Sequence, residues 1–512
     1  MTITLQNTEK GQCYAVKFDR YRQQVVDKLK SSVSIRWWDK QTGAWLIPAT
    51  NKCKAELDQL TYYVRHFEPV QWGTVAQLQT EEDVAFQIPE MPELDGDHGL
   101  KVQPYPYQLQ GIARGLQLKR FINGDDMGLG KSLESIATIN KADAFPCLVI
   151  CPNVVKINWQ REWHKFTDKK AMVLTDSVRD SWPFFWQTGM NQVFIVNYES
   201  LRKYFVRRIT KAEKWTLKDV EFHNTIKLFK SVIIDESHKV KSTATQQTKF
   251  CKGIASGKEY IILLTGTPVV NKPKDLVAQL GIMDRMIDMG GWKGFMLRYC
   301  SGPNQASNLK ELNYRLWKHC FFRREKSKVL TQLPDKVRQI VSCEITNRKE
   351  YMDAERDLID YLKRYKEADD EKIQKSLKGE VMVRIGILKD ITARGKLKEV
   401  IDFVKDFREN GKKIILFCNL HEIVDRLMIA FPSAVCVTGR QNMQEKQASV
   451  DAFQKNPKTD VIICSIKAAS AGITLTAASD VAFIELPWTY ADCDQAESRA
   501  HRIGHYRFCY KR

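Results

Sequence analysis

The sequence predicts an α/β protein with two parallel-sheet lobes, a helical region between them and a small α+β module in front. Short β-branched runs alternate with helix-like stretches from about residue 104 onward, a pattern typical of βα units. A charged amphipathic segment at 345–410 divides these runs into two groups. The runs lie at 147–152, 193–198, 231–236 and 260–266 in the first group, and at 413–419, 434–439, 461–465 and 481–486 in the second.

The first hundred residues divide by charge. Residues 1–66 carry eleven Lys and Arg against six acids, whereas residues 67–100 carry eight acids, three prolines and no Lys or Arg. This change of composition sets the first domain boundaries, and the two groups of strands set the others. We predict a basic module over 1–66, an acidic linker over 67–100, a first lobe over 101–336, a helical inter-lobe region over 337–410 and a second lobe over 411–512.

Composition narrows the class of protein. Of the 512 residues, 43% are apolar and 28% charged, which is ordinary for a folded globular chain. The first residues lack an apolar signal core and no apolar run is long enough to cross a bilayer, so we expect neither export nor membrane insertion. The thirteen cysteines include no CxxC pair, which favours reduced thiols in a cytosolic or nuclear compartment. The net charge of +19 favours a polyanionic partner.

A glycine-rich loop is the strongest local signal. The segment GDDMGLGKS at 124–132 ends in GxGKS, whose small residues let backbone N–H groups face phosphate oxygens. Its lysine suits the terminal phosphates of a nucleotide, and its serine hydroxyl suits Mg²⁺. Asp125 stands where the usual pattern has its first glycine. The predicted nucleotide-binding residues of this loop are Asp126, Met127, Gly128, Leu129, Gly130, Lys131 and Ser132.

Two carboxylates follow an apolar strand about a hundred residues later. Asp235 and Glu236 end the run SVIIDE, and strand ends are where α/β sheets bind ligands. We predict that Asp235, with Ser132, holds Mg²⁺ and that Glu236 orients or deprotonates the attacking water. A charged turn without catalytic function is the alternative for these two residues in isolation.

Together these segments resemble superfamily 2 helicase-like ATPases, and more narrowly the Swi/Snf-type DNA translocases. GDDMGLGKS, DESH (235–238), LTGTP (264–268) and QAESRAHRIGH (495–505) are similar to motifs I, II, III and VI of that family. Segments similar to the Q motif, motif Ia, the following conserved block, the inter-lobe segment and motifs IV and V lie between them in the same order. They occupy 105–111, 148–163, 197–201, 321–336, 413–418 and 465–478.

The resemblance implies two RecA-like lobes and further site residues. Gln108 corresponds to the residue that reads adenine, and Gly472 to a nucleotide contact of motif V. Arg499 and Arg502 correspond to arginines that reach the γ-phosphate from the second lobe, which implies that the lobes close on ATP and reopen after hydrolysis. The implied substrate and cofactor are ATP and Mg²⁺.

The resemblance also implies contacts with nucleic-acid phosphates, which would make binding independent of sequence and sensitive to salt. For the cations Arg323, Arg324, Lys326 and Lys328, contact with DNA and bracing of the lobes both stay open. The implied phosphate contacts are Lys156, Asn158, Trp159, Asn197 and Thr267 in the first lobe, and Asn419, Thr438, Gly439, Ser470 and Thr474 in the second.

The segment 14–49 resembles the HARP-type module of annealing helicases, with a lysine-rich helix followed by an R-W-W-D…T-G-x-W pattern. Trp37, Trp38 and Trp45 either form a small core or share the surface with phosphate-binding cations. At the other end, the sequence stops seven residues after His505. We therefore expect either a truncated second lobe with an open sheet edge or another element that covers the edge.

These observations lead to one interpretation and two rivals. We expect an ATP-dependent translocase on double-stranded or forked DNA that remodels or reanneals branched DNA, with a single-strand-binding or recombination protein as a candidate partner. The expected location is the cytoplasm, in association with the nucleoid, if the source is bacterial or viral, and the nucleus if it is eukaryotic. One rival is an RNA or DNA unwinding helicase of the same superfamily. The other is a non-catalytic DNA-binding scaffold with an inert motor.

Overall fold

The computed structural model describes residues 1–8, 11–73, 86–211, 213–266, 272–300, 306–333, 336–356, 380–466, 473, 475–501 and 510–511. The chain forms two compact units. The first contains 1–126, 130–151 and 159–324, and the second contains 127–129, 152–158 and 325–512. Within the described residues, no helix is long and apolar enough to cross a membrane.

The N-terminal module is a five-stranded sheet with two helices. Its strands lie in the order β3-β4-β2-β1-β5, antiparallel except for the pair β1–β5. The lysine-rich helix predicted from the sequence is α1, and the R-W-W-D…T-G-x-W pattern lies on the antiparallel pair β3–β4, where Trp38 is half exposed against Trp45. The elements are β1 (Thr2–Thr8), β2 (Gly11–Lys17), α1 (Gln23–Ser32), β3 (Trp37–Asp39), β4 (Ala44–Pro48), α2 (Asn51–Val64) and β5 (Gln71–Trp72).

The rest of the first unit is a seven-stranded, fully parallel sheet with the order β14-β6-β13-β12-β7-β9-β8. Strands β7, β9 and β13 are buried at every position, as expected when helices cover both faces. The elements are α3 (Pro106–Leu118), β6 (Arg120–Asn123), α4 (Lys131–Lys141), β7 (Cys147–Cys151), α5 (Lys156–Phe166), β8 (Ala171–Val173), α6 (Trp182–Gln187), β9 (Val193–Asn197), α7 (Leu201–Phe205), β10 (Val206–Ile209), β11 (Val220–Phe222), β12 (Ser231–Asp235), α8 (Gln246–Ala255), β13 (Tyr260–Leu264), α9 (Leu276–Ile282), α10 (Gly291–Tyr299), α11 (Leu309–His319) and β14 (Phe321–Phe322).

A buried ion pair fixes the N-terminal module to this lobe. Arg298 of α10 donates from Nε to both carboxylate oxygens of Glu311 on α11, at 2.9 and 2.7 Å. The same guanidinium donates from Nη2 to the main-chain oxygen of Gln12 in β2, at 2.8 Å. Arg298 and Glu311 are both buried. Their ion pair, with the hydrogen bond to Gln12, therefore joins the N-terminal module to the first lobe.

The second unit carries a six-stranded parallel sheet in the order β15-β20-β19-β16-β18-β17. Strand β20 lies beside β19 and β15 lies beside β20, so two short strands cover the edge of β19, in line with the second of the two alternatives stated for this edge. The elements are α12 (Lys326–Val329), β15 (Val337–Arg338), α13 (Arg348–Arg356), α14 (Glu380–Gly395), α15 (Leu397–Glu409), β16 (Ile414–Cys418), α16 (His421–Ala430), β17 (Val435–Val437), α17 (Met443–Lys455), β18 (Val461–Ser465), β19 (Asp480–Phe483), α18 (Tyr490–Glu497) and β20 (Tyr510–Lys511).

Candidate active site

The glycine-rich loop joins the end of β6 to the start of α4. Gly128 and Gly130 have φ angles of 88° and 89°, in the left-handed region that glycine adopts without a Cβ penalty. The ammonium of Lys131 donates to the main-chain oxygens of Asp125 at 2.7 Å and Asp126 at 3.2 Å, which holds it at the loop. Because α4 begins at Lys131, its first N–H groups lie at the loop, the arrangement that binds phosphates. These residues fit a nucleotide triphosphate.

Gln108 lies directly against this loop. Its side chain is buried, and its Oε1 accepts the N–H of Tyr105 at 3.0 Å, which caps the start of α3. A Cβ added at Gly130 would collide with the Gln108 amide nitrogen, so the two residues are in close contact. Gln108 therefore lies beside the glycine-rich loop. Its recognition of adenine stays a prediction.

Asp235 is the last residue of β12 and is held by two donors. The indole Nε1 of Trp159 donates to its Oδ2 at 2.9 Å, and the main-chain N–H of Glu236 donates to its Oδ1 at 2.9 Å. Burial, together with the neighbouring Glu236 carboxylate, raises the pKa of Asp235 to about 6. Ionised Asp235 is therefore unfavourable here unless a cation neutralises it. This environment fits the prediction that Asp235 holds Mg²⁺.

Glu236 follows in a strained backbone conformation. Its φ of 53° and ψ of 49° are left-handed, which costs a non-glycine residue roughly 1–3 kcal/mol and often occurs at functional sites. The Nδ1 of His238 lies 3.3 Å from Glu236 Oε2 and 3.3 Å from Thr265 Oγ1. His238 thus lies between the Glu236 carboxylate and Thr265, the residue after β13. Sequence reasoning assigned no role to His238 or Thr265, although Thr265 also follows an apolar strand.

A buried network of charged side chains around Arg324 supports the glycine-rich loop. The Arg324 side chain donates to Asp125 and Glu134, with its Nη2 at 2.6 Å from Glu134 Oε1, and to the main-chain oxygen of Tyr107. Its own main-chain N–H donates to Asp125 Oδ1 at 2.7 Å. Burial and the nearby Asp125 raise the pKa of Glu134 to about 8, although Arg324 opposes this shift. Arg324 is thus engaged inside the first lobe, a role that differs from both functions left open for it, contact with DNA and bracing between the lobes.

The predicted nucleic-acid contacts in and near the first lobe differ in their exposure. Trp159 is 1% exposed and its N–H is used by Asp235, so we no longer expect it to contact DNA. Asn197 is mostly buried, donating to Glu199 at 2.8 Å and accepting from Ser200 at 2.8 Å. Lys156 is also mostly buried, whereas Asn158 is partly exposed. Thr267 lies outside the described residues.

In the second unit, Arg499 is 3% exposed and its main-chain oxygen accepts the N–H of Leu475 at 3.1 Å. Thr438 is buried, and Gly439 beside it is exposed with open space at its missing Cβ. Asn419 is exposed directly after β16, and its N–H donates to Glu485 at 3.2 Å. Four predicted residues lie outside the part of the chain that the structure describes: Ser470, Gly472, Thr474 and Arg502.

Comparison with known proteins finds two family models that match parts of the chain. Residues 44–393 match the SNF2-related domain, and residues 395–504 match the helicase conserved C-terminal domain. The chain is 27% identical over 516 residues to a Caenorhabditis elegans homolog of SWI/SNF-related matrix-associated actin-dependent regulator of chromatin subfamily A-like protein 1. That alignment covers 96% of this chain and 70% of the relative.

Two further proteins are similar to it. The human DNA annealing helicase and endonuclease ZRANB3 is 29% identical, over 79% of this chain and 37% of the relative. The chain therefore spans less than two fifths of the length of this relative. A solved Sulfolobus solfataricus SWI2/SNF2 ATPase core in complex with dsDNA is 23% identical, with a TM-score of 0.39 over 83% of this chain and 89% of that chain.

Proposed function

The chain belongs to the SNF2-related domain family, and from this premise we propose that it is a DNA-dependent ATPase that translocates on duplex DNA and remodels or reanneals branched DNA. An ATPase of the Swi/Snf type within helicase superfamily 2 is the class that the two family matches support. The observation that carries the proposal is that the glycine-rich loop and the two carboxylates follow strands β6 and β12 of one parallel sheet.

The residues of this site divide the chemistry between them. Lys131 and the first N–H groups of α4 bind the phosphates of MgATP, and Ser132 and Asp235 hold the Mg²⁺ that accompanies the nucleotide. Glu236 takes a proton from the attacking water or orients it, with the Nδ1 atom of His238 3.3 Å from its Oε2 atom. Trp159 fixes the orientation of Asp235 through its indole N–H.

Two arginines of the second unit complete the proposed chemistry. We propose that Arg499 and Arg502 stabilise the charge that develops on the γ-phosphate, a contribution of about 10³ to 10⁵ in rate for arginines with this role. Gln108 is the proposed adenine contact. Gly472 is the proposed contact from motif V.

The net positive charge of the chain and its similarity to known relatives support DNA as the partner. The excess of 80 Lys and Arg over 61 acids suits the phosphodiester backbone, whose contacts position a protein without reading sequence. The human relative is by its name a DNA annealing helicase, and the alignment with the Caenorhabditis elegans relative extends over 96% of this chain. We therefore propose branched or forked DNA as the preferred substrate, with the N-terminal module choosing the junction.

Two assays test this proposal. Translocation is measured by displacement of the third strand of a DNA triplex, and annealing by closure of a partly unwound circle coated with single-strand-binding protein. We expect ATP-dependent activity in both assays, and none with Glu236→Gln. Efficient unwinding of a plain duplex, without triplex displacement or annealing, would contradict the proposal in favour of an unwinding helicase.

A further inference from the structure

A basic hairpin extends from the first lobe outside all the family motifs considered above. It consists of the antiparallel pair β10 and β11 together with residues 202–205 of α7, which lead directly into β10. The segment 202–218 carries seven cations and one acid, Glu213. The cations are Arg202, Lys203, Arg207, Arg208, Lys211, Lys214 and Lys218.

The hairpin is anchored by apolar side chains. Val206, Ile209 and Phe222 pack against the core of the lobe. Trp215 stacks on Phe250 of α8, with ring centroids 5.6 Å apart. The ammonium of Lys249 lies over the Trp215 ring and donates to its main-chain oxygen at 2.7 Å. These contacts hold one side of the hairpin against the first lobe.

A β-bulge presents Arg207. The register pairs Val206 with Phe222 and Arg208 with Glu221, which leaves Arg207 as the extra residue between them. Such a bulge turns the side chain of the inserted residue out of the regular alternation of the strand. Arg207 is exposed as a result.

The cations of the hairpin differ in their partners. Arg208 donates to both carboxylate oxygens of Glu221 at 2.7 and 2.8 Å, and Lys203 pairs with Asp176 at 2.7 Å. In contrast, neither Arg202 nor Arg207 forms an ion pair with any acid among the residues that the structure describes, and both are exposed. These two guanidinium groups are available to an external anion.

A concavity of about 410 Å³ is lined by four of these cations, Arg202, Lys203, Arg207 and Arg208. Glu199 is its one carboxylate, and it accepts a hydrogen bond from the Asn197 amide at 2.8 Å. Val206 and Ile209 complete the lining. A concave surface with four cations and one engaged carboxylate suits a phosphate group, which arginine binds through two parallel hydrogen bonds.

We infer that the basic hairpin is a binding site for the phosphodiester backbone of DNA, with Arg202 and Arg207 as its main contacts. The inference rests on the proposed function, because it supplies a track for the same polymer. Several cations on one surface can contact successive phosphates along a strand, whereas a small anion would use only some of them. The hairpin also begins a few residues after Asn197, an implied phosphate contact.

A binding assay with the full chain and a labelled DNA duplex tests the inference. Fluorescence anisotropy measures the affinity over a range of salt concentrations. The variant is Arg202→Ala combined with Arg207→Ala. The control combines Arg348→Ala with Lys398→Ala, which removes the same charge from exposed positions of the second unit. Each lost phosphate contact makes the negative slope of log affinity against log salt shallower by about 0.9. We therefore expect the slope of the hairpin variant to be shallower by about 2.

We expect the control to keep the wild-type slope and the hairpin variant to bind roughly tenfold more weakly near 0.1 M salt. Replacing the same two residues by lysine should retain most of the slope, because the charges remain. ATP hydrolysis without DNA should be unchanged in all variants. A hairpin variant with the wild-type slope would overturn the inference. A wild-type chain that binds no duplex would overturn the proposed function instead.

Discussion

The indole nitrogen of Trp159 lies 2.9 Å from the Oδ2 atom of Asp235 and donates a hydrogen bond to it. Trp159 belongs to α5, after the strand similar to motif Ia, whereas Asp235 ends β12. The contact ties the segment expected to follow DNA to the carboxylate expected to hold Mg²⁺. A residue whose sequence context suggests a surface contact is thus a buried positioning residue of the active site.

Trp159→Phe should therefore change the pH dependence of the ATPase. The indole N–H lowers the pKa of Asp235 by stabilising the carboxylate, in opposition to burial. Its loss raises that pKa, so the acid limb of the pH–rate profile should move to higher pH by roughly 1 unit. Trp163→Phe is the matched control, since Trp163 is equally buried on the same helix and packs against Phe145. Equal acid limbs in the two variants would refute the positioning role.

Glu236→Gln should keep ATP binding and lower the hydrolysis rate by about 10²- to 10⁴-fold, because the amide cannot accept the proton of the attacking water. Titration with a fluorescent ATP analogue and a steady-state phosphate-release assay measure the two quantities separately. Lys131→Ala is the contrasting variant, and we expect it to weaken ATP binding. Normal turnover by Glu236→Gln would exclude this residue as the general base.

Arg324→Met should destabilise the first lobe strongly. It leaves the buried carboxylate of Asp125 without its counter-charge and the buried carboxyl group of Glu134 without its hydrogen-bond donor, a loss of about 3–5 kcal/mol in the free energy of unfolding. Arg323→Ala is the neighbouring control. Its guanidinium is 46% exposed beside Asp126, and such pairs contribute about 1 kcal/mol or less. Urea unfolding compares the two, and similar midpoints would show that the buried network is unimportant for stability.

The same network should make stability depend on pH. The pKa of Glu134 is raised to about 8 in the folded chain, so between its ordinary value and 8 the folded state binds more protons than the unfolded state. The contribution of Glu134 is then fully present at acidic pH and is lost as pH rises toward 8, by at most roughly 1.4 kcal/mol per pH unit. Glu134→Gln should flatten the decline of unfolding free energy between pH 5.5 and 8.5. An unchanged decline would contradict this assignment.

The sequence predicts the sheets well because their strands are continuous apolar runs. All eight predicted runs contain strands, from β7 at Cys147–Cys151 to β19 at Asp480–Phe483. The strands that escaped prediction are short or follow polar residues, as in β6 (Arg120–Asn123) and β14 (Phe321–Phe322). Their pairing depends on a segment some 200 residues away, and no local pattern encodes such a partner.

The same reason limits the prediction of the site. Lys131, Asp235 and Glu236 belong to local motifs, so their residue types and spacing reveal their chemistry. Arg324 acquires its function only through contacts with residues far away in the chain, at a sequence separation of 199 from Asp125. Burial likewise distinguishes Trp159 from an exposed tryptophan such as Trp38, although both lie in basic, aromatic segments.

The most direct test of the central claim is the ATPase rate of the full chain without polymer and with duplex DNA, forked DNA, single-stranded DNA or RNA, with Glu236→Gln as the background. We predict that duplex or forked DNA stimulates hydrolysis strongly and that RNA does not. Stimulation by RNA would contradict the account in favour of an unwinding helicase. Unchanged hydrolysis with every polymer, while ATP still binds, would contradict it in favour of an inert DNA-binding scaffold.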